Sequence, residues 1–133
     1  VHAGDVLFNR TNSADLVGKT AVYRATEPMA YAGYLVRLRP NDRASCEYLG
    51  AFMNLPSTKQ TLRAMCKSIV GMANINAQEV QRIQLPVPSM DLQNLFAHSR
   101  NSVASRRTAV ERQIGEIDTL FASLQQRAFR GEL

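Results

Sequence analysis

Residues 74–93 read Asn-Ile-Asn-Ala-Gln-Glu-Val-Gln-Arg-Ile-Gln-Leu-Pro-Val-Pro-Ser-Met-Asp-Leu-Gln, "NINAQEVQRIQLPVPSMDLQ". This stretch decides how the chain is divided. Asn76 and Glu79 stand in the N-x-x-E spacing of a capping box, which predicts a short helix. "RIQLPV" follows as a strand-like run. Pro86 and Pro88 then interrupt both sheet pairing and continuous helix, because proline lacks an N–H and fixes φ. Ser89 is placed to cap a new helix and Asp91 sits in its first turn, where the helix dipole favours an anion. A compact unit over 1–88 and a helical unit over 89–133 are expected on either side of this joint.

Upstream, short alternating runs predict strands. "GDVLFNR" (4–10) puts Val6 and Phe8 on one face. It opens a polar loop, "RTNSADLVGK", in which Gly18 supplies turn freedom. "TAVYRA" (20–25) is a second short strand. "GYLVRLRP" (33–40) alternates Tyr34, Val36 and Leu38 with Leu35, Arg37 and Arg39 until Pro40 ends it, so one face is apolar and the other carries two arginines.

Helical periodicity comes next. "ASCEYLGAFMNL" (44–55) groups Cys46, Leu49, Phe52 and Met53, with Pro56 closing it. "STKQTLRAMCKSI" (57–69) starts at a Ser57 or Thr58 cap. Its apolar stripe is Leu62, Cys66 and Ile69. Lys59, Arg63 and Lys67 form a basic stripe at i, i+4 and i+8, where like charges repel and an anionic partner would relieve them. "VGMAN" (70–74) is a loop.

Downstream, alternating steps of four and three pass through Phe96, Arg100, Val103, Arg107, Val110, Ile114, Ile117, Phe121, Leu124 and Ala128. Eight of those ten are apolar, which is a heptad seam. Leu92 to Arg130 is 39 residues, or about 58 Å of helix, and Gly131 is placed as its C-terminal glycine. A stripe of that length outruns one layer of a small domain. It requires a second helix, antiparallel or from another chain. Arg100 and Arg107 are costly in a dry seam, so its first half is expected to be wetter than the part from Val110 onward. The fold class is therefore α+β: a small globular domain with a twisted sheet and short helices, followed by one long coiled-coil helix.

Composition limits the function. The 133 residues carry a net charge of +5, with a sequence pI near 9.7. Arg37 to Lys67 holds six basic residues against two acidic ones. A basic face of this kind suits nucleic acid or another polyanion. No run approaches the roughly 18 apolar residues of a membrane span. The first residues lack the basic and apolar regions of a signal peptide, and there is no initiator Met, so a fragment or a processed chain is expected, and the two lone cysteines suit a cytoplasmic protein. Cys46 and Cys66 read as buried, reduced thiols, without ligand spacing. His2 and His98 have no nucleophile or metal pattern beside them, phosphate loops and glycine-rich cofactor motifs are missing, and the carboxylates are scattered. No catalysis, metal or cofactor is expected. A contrasting reading, drawn from the same features, is a coiled-coil adaptor whose basic face binds acidic proteins.

The ordered set "GDVLFNRTNS…VGK", "YLVRLRP", "EYLGAFMN", "SIVGMANINAQEVQRIQLPVPSMDLQ" and "LQQRAFRGEL" resembles the specificity subunit of type I DNA restriction–modification systems along nearly the whole chain. The joint of residues 74–93 and the Gly-Glu-Leu end are the most specific parts. Two departures stand out: Ser89-Met90 where the family usually has a second proline, and "LFAHSR" (95–100), which is less charged than the family's helices. The resemblance implies a target recognition domain over 1–88, lacking a strand or two before Val1, and a spacer helix over 89–133, together the second half of a subunit. It implies that each recognition domain reads one half of a split duplex target and that two such helices pair antiparallel as a ruler. Modification (methyltransferase) subunits would dock on the helices, with restriction subunits attached indirectly. Under that reading Arg10, Thr11, Asn12, Ser13 and Lys19, and Ser68, Asn74 and Asn76 beside Lys67, are candidates for base contact. Arg37, Arg39, Lys59, Arg63 and Lys67 are candidates for phosphate. Asn76 has a competing role as a cap. Phe96, Val103, Val110, Ile114, Ile117, Phe121, Leu124 and Ala128 are candidates for helix pairing, whether with another subunit or by self-association.

Overall fold

The computed structural model describes residues 1–12, 16–69 and 72–132. The chain is α+β and divides into two units, Val1–Phe96 and Ala97–Leu133. In the first unit, strand β1 (Val6–Asn9) lies between β3 (Thr20–Val22) and β4 (Leu35–Leu38), antiparallel to both. The alternation of β1 holds: Val6 and Phe8 are buried while Leu7 and Asn9 are half-buried. A second antiparallel sheet has the order β2 (Thr11–Asn12), β6 (Met72–Asn74), β5 (Lys67–Ile69). β1 passes into β2 through Arg10 alone, so one continuous segment serves both sheets.

Three short helices cover the sheets. α1 (Cys46–Met53) starts at Ser45, whose Oγ accepts the Tyr48 N–H at 3.2 Å. α2 (Pro56–Met65) follows almost at once. α3 (Ala77–Gln81) has a complete capping box: the Glu79 N–H donates to Asn76 Oδ1, and the Asn76 N–H to Glu79 Oε2, each at 2.9 Å. The core gathers Phe8, Val17, Met53, Leu62, Ile75 and Val80, with Val36, Leu38, Leu49, Phe52, Cys66 and Ile83 around it. Full burial of side chains such as Phe8 and Leu62 contributes roughly 1.5–3 kcal/mol each. Gly18 is part of that packing. Its φ is +78°, and a Cβ there would lie 2.8 Å from Leu62 Cδ1, so both conformation and space exclude a side chain.

Several sequence expectations are corrected. Pro56 does not close α1; α1 ends at the Asn54 cap, and Pro56 opens α2, where its preset φ suits the first helical position and its missing N–H costs nothing. Ser57 and Thr58 are accordingly inside α2 and do not cap it; the cap position is Leu55, without a side-chain bond. α2 stops at Met65, so Lys67 leaves the helical stripe, and Cys66 and Ile69 leave the apolar one. Pairing with β6 outweighs the helical period there, a tertiary override that local spacing does not register. Part of the supposed "VGMAN" loop is strand β6, and Thr11–Asn12 of the polar loop is strand β2. "RIQLPV" is not a strand: Arg82 caps α3 and no strand follows before α4. Pro86 and Pro88 cannot donate to a ladder, and Ile83 instead packs on the core. Cys46 and Cys66 are free thiols, as expected, but half-buried; partial burial, followed by the charge of Glu79, pushes the Cys66 thiol up.

α4 (Met90–Phe129) is 40 residues long. Its first turns belong to the first unit. Gln93 is fully buried there, its Nε2 donating to the carbonyls of Arg43 and Pro88, both at 2.9 Å, while its Oε1 accepts the Ser45 N–H at 2.8 Å. The Tyr48 hydroxyl donates to the Pro86 carbonyl at 2.8 Å, and its ring meets Phe96 edge-on with centroids 6.1 Å apart. At the far end Gly131 adopts φ +71°. The Glu132 N–H donates to Arg127 O at 2.9 Å and the Gly131 N–H to Ala128 O at 3.1 Å. Those two bonds are the Schellman closure of a helix.

Candidate nucleic-acid interface

The second sheet brings together the two stretches singled out for base contact. Thr11 stands opposite Asn74, and Asn74 opposite Lys67; in the next row are Asn12, Ala73 and Ser68. Residues paired across antiparallel strands share a face, so Thr11 and Asn74 stand side by side, with the Lys67 backbone opposite Asn74 on the other side. The Thr11 hydroxyl donates to Asn74 Oδ1 at 3.2 Å, and the Thr11 N–H to Asn9 Oδ1 at 3.3 Å. For Asn12, Lys67 and Ser68 the backbone alone is described; Ser13, Val70 and Gly71 lie outside the described residues.

Arg10 sits where the two sheets meet. Its N–H donates to Tyr34 O at 3.0 Å and its carbonyl accepts the Ile75 N–H at 2.9 Å. Its Nε is buried without a hydrogen-bond partner among the described residues. The main chain of Arg10 is therefore fixed on both sides, and it directs the segment from the core strand to the edge that carries Thr11.

Lys19, Lys59 and Arg63 form a cation cluster. The Asn9 N–H donates to Lys19 O at 2.9 Å, which sets Lys19 next to the end of β1. Lys59 Nζ donates to Gly18 O. Partial burial, then the charges of Arg63 and Lys19, hold the Lys59 ammonium below its ordinary value. Like charges at this range disfavour one another, and an anion placed among them removes the penalty. Arg63 is in the last turn of α2, which leads straight into β5, so the cluster and the second sheet are joined by continuous chain.

Arg37 and Arg39 are situated differently. Arg37 Nη1 is 3.8 Å from Asp5 Oδ2 and Arg39 Nε is 3.6 Å from Asp5 Oδ1. The Asp5 side chain is only 5% exposed, and its Oδ2 accepts the His2 N–H at 2.8 Å. That backbone bond, helped by Arg37 and Arg39, holds the Asp5 carboxyl below its ordinary value against the opposing effect of burial. Both guanidiniums thus already face one anion. The role of Asp5 was not legible in the sequence, because 32 positions separate it from Arg37 and no local pattern connects them. Asn76 is committed to the α3 cap through its Oδ1.

On α4 the seam positions Val103, Val110, Ile114, Ile117, Phe121 and Leu124 are 40–66% exposed, and Ala128 is exposed too. Phe96 is partly taken up by Tyr48. Arg107 turns its Nε to Glu111 Oε1 at 2.8 Å, one helical turn on. The apolar stripe is thus uncovered within the single chain. Among the described residues no helix is long and apolar enough to cross a membrane, and no group of three or more His, Cys, Asp or Glu could hold a metal.

No family model matches the chain. Two curated proteins do. Across 128 residues, 95% of this chain, it is 23% identical to a Methanocaldococcus jannaschii protein named as the type I restriction enzyme MjaX specificity subunit. Across 137 aligned positions, 98% of this chain, it is 25% identical to the type I restriction enzyme EcoKI specificity subunit of Escherichia coli K12. The chain spans 30% of the length of each relative. Through this correspondence, which takes in both the two-sheet unit and the long helix, the chain is homologous to type I restriction enzyme specificity subunits.

Proposed function

We propose that this chain is a DNA-recognition and scaffold module of a type I restriction–modification enzyme, with no catalytic step of its own. In this reading residues 1–88 form a target recognition domain for one half of a bipartite duplex site. The β2–β6–β5 edge and Arg10 face base edges in the major groove, where amide, hydroxyl and guanidinium groups match the donor and acceptor pattern. Lys19, Lys59 and Arg63 contact phosphate and fix register. Arg37 and Arg39 contribute less, since Asp5 already balances part of their charge. Residues 89–133 pair through the exposed seam with a second helix, antiparallel, as a spacer, and dock modification subunits that bring restriction subunits with them. Such an assembly works on DNA in the cytoplasm.

The observation that carries this reading is the register that puts Thr11 beside Asn74, 63 positions apart, in a unit that also gathers Lys19, Lys59 and Arg63. The relatives' names agree with it.

Titrating a pool of random duplexes with the full chain and modification subunits, across salt concentrations, tests it. Log K should fall linearly with log salt, with a slope of about −0.9 for each phosphate contacted, and some sequences should be retained over others. Absence of duplex binding at low salt, with modification subunits supplied, overturns the reading. Capture of acidic proteins without DNA binding would favour the adaptor instead.

A further inference from the structure

We propose that Tyr34 is a specificity-determining residue, its ring packing against a base edge beside the base met by Arg10; this rests on the DNA-recognition reading above. Tyr34 lies one residue before β4, at the end of the strand's apolar face. The register of β1 with β4 runs from Val6 opposite Leu38 to Asn9 opposite Leu35. One step further sets Arg10 opposite Tyr34, and the Arg10 N–H to Tyr34 O bond of 3.0 Å makes that step. Directly opposed residues in such a pair have Cβ atoms about 5 Å apart on a common face. Arg10 and Tyr34 are therefore neighbours at the end of the first sheet, on the face that buries Val6 and Phe8 further along.

The two side chains differ in what they do there. Val36 and Leu38, on the same face, pack against the core, whereas Tyr34 is 55% exposed. Its ring therefore contributes little to burial, although its backbone is held by a ladder bond and not by a free loop. A tyrosine fixed in this way has only two side-chain torsions to order on binding. It offers an apolar face, suited to a thymine methyl, and one hydroxyl. Next to it, Arg10 supplies the donors that match guanine acceptors, and Thr11, the next residue along the chain, pairs with Asn74 of β6. Arg10 and Tyr34 thus set two chemically distinct groups side by side where the first sheet ends and the second begins.

The test uses the full chain with modification subunits. A duplex pool with a random tract is first selected on the wild type. Fluorescence anisotropy then compares the selected duplex with a scrambled one for wild type, Tyr34→Ala and Tyr34→Phe. Tyr34→Ala should bind the selected duplex about tenfold more weakly and the scrambled duplex unchanged. Its salt slope should match the wild type, because a neutral side chain releases no counterions. Tyr34→Phe should keep most of the preference, and the melting curves of all three should coincide. Equal binding of the selected duplex by Tyr34→Ala and wild type overturns the proposal, as does an equal loss on both duplexes. If the wild type selects no sequence, the recognition reading itself fails and takes this proposal with it. Selection by the wild type with no effect at Tyr34 removes this proposal alone.

Discussion

Gln93 Oε1 accepts the backbone N–H of Ser45 at 2.8 Å, 48 residues away in sequence. Ser45 is the cap of α1, so a side chain from the first turn of α4 satisfies the main chain at the start of another helix. The same amide holds the carbonyls of Arg43 and Pro88. Gln93→Leu leaves these three partly buried backbone groups without their bonds to the amide. It should destabilise the 1–96 unit by about 3 kcal/mol, measured as a lower urea midpoint at unchanged m-value.

Asp5 should govern acid stability. Its folded pKa lies below the ordinary value of 3.8, so its contribution is fully present above the unfolded pKa and is lost as pH falls through the folded one. The wild type should therefore lose stability as pH drops below about 4. Asp5→Asn should melt at lower temperature near neutrality yet show a flatter decline in that acid window. Thermal melts across the range measure both.

The two arginine settings should separate in DNA binding. Arg63→Ala should weaken all duplexes alike and reduce the salt slope by about 1, as loss of one phosphate contact does. Arg39→Ala should have a smaller effect, because Asp5 already faces that guanidinium. Binding isotherms at several salt concentrations compare the two.

Ile117→Asp should abolish helix pairing or subunit docking. Ile117 is 64% exposed in the single chain, so the substitution leaves the 1–96 unit and its melting curve intact. A carboxylate buried in an apolar seam is costly. Sedimentation of the chain, alone and with modification subunits, measures the loss.

Local chemistry was legible where it acts over a few residues. The Asn76–Glu79 box, the alternation of Val6 and Phe8, and the stop at Gly131 all depend on neighbours within about six positions, and each is present. The joint at residues 74–93 suggests a boundary at Pro86 and Pro88, but the strand expected for "RIQLPV" is absent, since Pro86 cannot donate to a ladder. Readings failed where distant chain decides. Lys67 fits a helical stripe perfectly by spacing, yet it lies opposite Asn74 in a ladder. Pro56 is compatible with ending one helix or starting the next, and only the short link from Asn54 to Pro56 resolves it. For the candidate interface, the sequence supplied the stretches around Arg10–Asn12 and Ser68–Asn76, while their pairing, the anion at Asp5 and the setting of Tyr34 required the fold.

The pairing of Thr11 with Asn74 has a consequence for the order of folding. β5 and β6 are local in sequence and can meet through a short closure, whereas β2 reaches β6 only when 63 residues have been brought round. Closure entropy rises with that separation, and such non-local pairs are slow to form. The β2 ladder is thus a late-forming part of the unit, dependent on the core around Phe8 and Leu62 already being in place. The amides of the β2–β6 pairing should exchange with solvent ahead of those of β1. The surface proposed to read DNA would then be the last to take shape and the first to open.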